Sequence, residues 1–193
     1  MFFSRGFKSW CENVAIQQRR ELNLRSFDPL NPRMLSKHLG IEVWTAEQVP
    51  GIDPECLRIL LRKNYDSWSA VTICIESKDL VILNTSHSDS RQASDLMHEL
   101  SHILLGHEPS RVDVTEDGLL ILNTYGKKQE EEANWLCGSL LLPRDALVLI
   151  RRKDMDLKIA TKKYGVSLDM LEYRLNVTGV NYQFRRARNR SRL

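Results

Sequence analysis

Apolar positions along the chain follow two rhythms, a helical one and a strand-like one, and their order predicts the elements. Between residues 5 and 23, Trp10, Val14, Ala15 and Leu22 recur among many charged side chains, which predicts an amphipathic first helix. Asp28-Pro29 and Asn31-Pro32 then break the pattern. Pro32 suits the first turn of a second short helix that should stop near Gly40, with His38 beside the C-terminal end of its dipole. Ile41-Glu42-Val43-Trp44 alternates like a strand, and Pro54 to Lys63 reads as a helix built on Leu57, Ile59, Leu60 and Leu61. Two β-branched runs, 70–75 and 80–83, flank Glu76-Ser77-Lys78-Asp79 and predict a hairpin or meander.

Ser88-Asp89-Ser90 offers an N-cap for a helix reaching about Gly106. Residues 107–128 look irregular, with room for a short strand over 118–122. A second long helix is predicted over Gln129–Leu142, closed by Pro143, and the rest is mostly helical with a turn at Tyr164-Gly165-Val166-Ser167. Helices before and after a small antiparallel sheet define an α+β class. The expected organisation is a core over 1–143, a helical segment over 144–180 and a flexible basic tail over 181–193.

Composition changes this picture little. With 42% hydrophobic and 27% charged residues among 193, the chain can bury a core without help from disulfides or metal. Cys11, Cys56, Cys74 and Cys137 are scattered and form no C-x-x-C pair, which argues against a zinc ribbon and a disulfide framework. The apolar start is too short for a signal core, and no run approaches the roughly 18 apolar residues of a membrane helix. A cytoplasmic protein is expected. The net charge of +3 is mild, but residues 184–193 hold five Arg and no acid. That end could touch nucleic acid or an acidic partner, or serve only as a solubilising end.

The chemistry lies in Met97-His98-Glu99-Leu100-Ser101-His102, an H-E-x-x-H inside a helix-period segment. Positions i and i+4 share a helix face, so His98 and His102 can reach one ion, while Glu99 is placed to act on a water beside it. Apolar neighbours (Leu96, Leu100, Ile103, Leu104) bury the helix, and two buried imidazoles need partners. Zinc is the expected ion, with manganese or another divalent ion as an option. A catalytic zinc normally takes three protein ligands. His107, past Gly106, would lie far round from the His98 face if the helix continued. The better source is Gln129-Glu130-Glu131-Glu132, where Glu130 shares its face with Ala133, Asn134, Cys137 and Leu141. Glu130 is therefore the expected third ligand, Glu132 the fallback, and Asn134 a supporting partner one turn on. The acidic triplet read blandly is a solvated first turn.

Together with Val81-Ile82-Leu83-Asn84, Arg91-Gln92, Glu130-x-x-Ala133-Asn134, Leu141-Leu142-Pro143 and Tyr173-Arg174-Leu175, these segments resemble the ImmA/IrrE family of metallopeptidases over roughly residues 10–180. The resemblance implies a gluzincin-like core followed by a helix-turn-helix-like segment, with zinc on His98, His102 and Glu130 and Glu99 as base. It also implies cleavage of a partner repressor, often of the helix-turn-helix type, that derepresses stress or mobile-element genes. Ser101 stands where the family often has Gly, and Trp135-Leu136-Cys137-Gly138 where Phe-Ala-Ala is common.

Some assignments stay open. The strand through Asn84 could pair with extended substrate or be an ordinary core strand. Tyr125 and His87 could donate to an oxyanion or simply lie on the surface. Residues 159–175 resemble a helix-turn-helix, but Asp169 and Glu172 stand where a DNA reader needs donors, which favours packing on the core. The rival reading is a DNA-binding or repressor-sequestering regulator with a structural metal.

Overall fold

The computed structural model describes residues 3–75, 78–108, 112–114, 120–122 and 125–190. The chain packs as two units, one over Pro32–Asn134 and the other combining 3–31 with Trp135 onward.

In the first unit, α2 (Pro32–His38) leads into β1 (Glu42–Thr45), and α3 (Pro54–Arg58) follows, its next turn widening to π geometry over Ile59–Lys63. Asp53 caps α3 by accepting from the Glu55 and Cys56 amides, with Pro54 at the first helical position. Strands β2 (Ala70–Ile75) and β3 (Lys78–Leu83) pair antiparallel, with Thr72 opposite Val81. The sheet order is β1-β3-β2, and β1 runs parallel to β3. The sheet is therefore mixed rather than purely antiparallel. The segment from α3 to β2 provides the long connection that returns the chain beside β1 in the same direction. β3 is also central and paired on both sides, so it has no free edge for an extended substrate. The two short strands β4 (Val112–Val114) and β5 (Leu120–Leu122) pair antiparallel; β5 falls in the stretch with room for a strand, and β4 in sequence that looked irregular.

Helix α4 (Asp89–Leu104) lies on α2, β2 and β3. Leu96, Met97 and Leu100 are at most 1% exposed, as are Val81 and Leu83, so hydrophobic burial fixes the rotation of α4 about its axis. Its first turn is tied down by polar contacts: Arg91 reaches Ser69 and Asp66, and Gln92 Nε2 donates to the His87 carbonyl at 2.7 Å.

The second unit is helical: α1 (Phe7–Glu21), the C-terminal half of α5 (Lys127–Leu141), α6 (Arg144–Arg152), α7 (Leu157–Tyr164), α8 (Leu168–Val177) and α9 (Val180–Arg190). Two buried arginines stabilise the end of α5, where carbonyls lack helical partners. Arg19 Nη2 donates to the Leu140 carbonyl at 2.7 Å, and Arg174 donates to Leu142 through Nε and Nη2 while meeting Glu12 Oε1 at 2.6 Å. Burial lowers Arg19 to about 10, still charged at neutral pH. The basic end expected to be a flexible tail forms α9 from Val180 to Arg190, anchored by fully buried Val180. No single described helix is long and apolar enough to cross a membrane.

Candidate metal centre

The second half of α4 and the first turns of α5 face each other within the first unit. His98 Nε2 and His102 Nε2 lie 3.0 Å apart. Glu130 Oε2 is 3.3 Å from the first and Glu130 Oε1 3.8 Å from the second. One ligand atom from each of these residues falls within 4.8 Å of the others. Metal–nitrogen distances of about 2.0–2.1 Å in tetrahedral geometry separate two donors by about 3.3 Å. The observed spacings bracket that value, and the two-nitrogen, one-carboxylate set suits a borderline ion. The residues present thus fit a divalent metal.

His102 is fully buried and its pKa is pushed down to about 3, first by burial and then by the neighbouring His98 and His107. The imidazole is neutral, as a ligand must be. Glu99, 9% exposed, has its pKa raised by burial, with Glu130 and Asp95 adding to the rise. Thr72 opposes this rise, donating from Oγ1 to Glu99 Oε2 at 2.5 Å, and His98 opposes it as well. Tyr125 stacks on His102, ring centres 3.6 Å apart. Burial and the charges of Glu99, Glu130 and Asp79 raise its phenol, so it keeps its proton.

Other residues singled out from sequence go elsewhere. Glu132 reaches His107 Nε2 at 3.4 Å. Asn84 is fully buried, donating to the Tyr65 and Trp68 carbonyls and accepting from the Ser86 amide, so it braces the loop after β3. His87 donates to the Tyr65 carbonyl and lies 3.5 Å from Asp95. Asn134 is exposed, and among the described residues no side-chain hydrogen bond joins it to Glu130.

Two neighbours of the site take positions that local sequence pattern does not give. Thr72 was one hydroxyl in an apolar strand run, and only the β2–α4 packing aims it at Glu99. His107 was placed by assuming a continuing helix. Instead α4 ends at Leu104, Gly106 takes φ +64°, and the amides of Gly106 and His107 donate to the carbonyls of Ile103 and His102, each at 3.0 Å. This left-handed cap folds the chain back. His107 Nδ1 comes to 3.0 Å from His102 Nδ1.

No curated protein matches the chain. Among solved structures, a Mycobacterium tuberculosis transcriptional regulator is similar in fold, with a TM-score of 0.52 and 15% identity. The likeness covers 86% of this chain but 46% of that one, so this chain spans about half its length. The family model of the IrrE N-terminal-like domain, a peptidase family, matches residues 60–176, which include the whole His98, His102 and Glu130 group. The chain therefore belongs to the IrrE N-terminal-like family of metal-dependent peptidases.

Proposed function

We propose that this protein is a zinc endopeptidase in which His98, His102 and Glu130 hold the ion and Glu99 is the general base. The observation that carries the reading is the convergence of those three ligand atoms within 4.8 Å, with the buried Glu99 carboxylate on the helix that bears both imidazoles. Bound there, the ion would supply Lewis acidity, polarising the scissile carbonyl and lowering the pKa of a water toward about 7. The protein's own part is proton handling and orientation. Thr72 occupies Glu99 Oε2, which leaves Oε1 to take a proton from the attacking water and pass it to the leaving amine. Tyr125 keeps its hydroxyl proton and is the nearby donor for the carbonyl oxygen.

The proposed substrate is a partner transcriptional repressor of the helix-turn-helix type, cut in the cytoplasm to release stress or mobile-element genes. Purified chain and the repressor encoded beside it are to be incubated with zinc and the products followed by mass spectrometry. Glu99→Gln keeps zinc and abolishes cleavage in this reading. Continued hydrolysis by that variant refutes the assignment of Glu99.

A second reading, duplex binding with a structural metal, draws on α9, whose Arg185, Arg186, Arg188 and Arg190 have no acid among them. Against it, α8 exposes Asp169 and Glu172. It requires salt-sensitive DNA binding that is lost when residues 184–193 are removed.

A further inference from the structure

From the proton accounting around His102, we infer that His107 and Glu132 are positioning residues that fix the tautomer of His102 and hold its Nε2 lone pair toward the metal position. The inference rests on the ligand set proposed above and extends it to residues outside that set. His102 and His107 meet through Nδ1 atoms 3.0 Å apart. A ring that binds an ion through Nε2 carries its hydrogen on Nδ1, and His107 Nδ1 is the atom placed to accept it. His107 Nε2 lies 3.4 Å from Glu132 Oε2, and an ionised carboxylate only accepts. In that arrangement His107 presents a bare Nδ1 to His102 and turns its Nε2 toward Glu132. His102 must then donate through Nδ1, so its Nε2 is the free ligand atom. That is the nitrogen facing His98 Nε2 and Glu130.

The dyad is built by the helix cap rather than by helical periodicity. The reversal at Gly106 puts His107 at the edge of the ring it orients, and the His107 amide donates to the His102 carbonyl at 3.0 Å. His107 is almost fully buried, with 8% of its side chain exposed, and Glu132 retains 15%. Glu132 lies on α5 two residues from Glu130, so one helix turn supplies both a ligand and the anchor of the opposite ligand's orientation. Such outer partners typically tune metal affinity about 10–100-fold.

The test measures zinc affinity of the full chain by competition with a chromophoric chelator, alongside the His102 tautomer in zinc-free protein by long-range proton–nitrogen NMR. His107→Phe keeps ring volume but no acceptor, and is expected to weaken zinc binding about 10–100-fold. His107→Asn loses volume but keeps an acceptor at the δ position, and is expected to stay within about threefold of wild type. A packing role predicts the reverse order. His102 should carry its proton on Nδ1 in the wild type and in His107→Asn, and lose that preference in His107→Phe. Equal affinity of wild type and the Phe variant, or an Nε2-protonated His102 in the wild type, overturns the inference. Should His107→Phe not fold, Glu132→Leu replaces it: weaker binding supports the dyad, and unchanged binding overturns it. If the wild type takes up no zinc at all, the peptidase reading fails, while the tautomer measurement still judges the dyad by itself.

Discussion

Replacing Thr72 with Val tests how Glu99 is held. The two side chains have nearly the same shape, and Val is at home in a strand, so the change removes one hydroxyl and little else. That hydroxyl donates to Glu99 Oε2 at 2.5 Å, and both residues are 9% exposed. A hydrogen bond to a charged group contributes about 1.5–3 kcal/mol, and the water that could replace it has little access here. Taking about 2 kcal/mol, the midpoint of thermal unfolding should fall by about 4–8 °C for a chain of this size. The measurement is denaturant and thermal unfolding in chelator at neutral pH. A double-mutant cycle with Glu99→Ala isolates the pair. Glu99→Ala should be neutral or stabilising in the metal-free protein, because it removes a carboxylate whose burial is costly. In that background Thr72→Val should cost less than about 0.5 kcal/mol, since the hydroxyl has lost its acceptor. Equal costs in both backgrounds would mean that Thr72 acts by packing, and the account of Glu99 given above would fail.

Three further outcomes are expected. Gly138→Ala should gain about 1 kcal/mol of helix propensity yet lose about 2–3 kcal/mol to overpacking, a net destabilisation of about 1–2 kcal/mol. The new Cβ would lie 2.9 Å from Arg174 Cδ, and that side chain is pinned to Leu142 and Glu12; urea denaturation decides the sign. Glu12→Gln should cost about 2 kcal/mol, below the range for a fully buried pair because Glu12 is 21% exposed. The double variant Glu12→Leu with Arg174→Met should lose less than the sum of its single changes. Gly106→Ala should lose about 1–2 kcal/mol through its left-handed backbone and also weaken zinc binding by loosening His107, whereas Gly106→Asn should be milder on both counts in calorimetry.

Much of the site could be read from local pattern. The i, i+4 spacing put His98 and His102 on one face because a helix repeats every 3.6 residues, and the same phase argument separated Glu130 from Glu132 on α5. The structure brings Glu130 to the imidazole pair and sends Glu132 to His107. His107 was misplaced because periodicity describes only a helix that continues, and one left-handed glycine cancels it. Asn84 looked available for chemistry because its strand could pair with substrate, and His87 because loop polarity is visible in sequence, whereas the carbonyls that use them up are not.

Sequence by itself determined where most of the helices and strands run, which helix carries the paired imidazoles and which acidic turn could answer them. Those properties depend on the character and spacing of near neighbours. Only the tertiary structure decided that β1 runs parallel to β3 and leaves it no free edge, that Thr72 faces Glu99, and that Arg19 and Arg174 are buried at the end of α5 rather than solvated. Each of those depends on contacts between segments far apart in the chain. Such contacts are set by how whole apolar faces pack together, and the pattern within any one segment does not contain them.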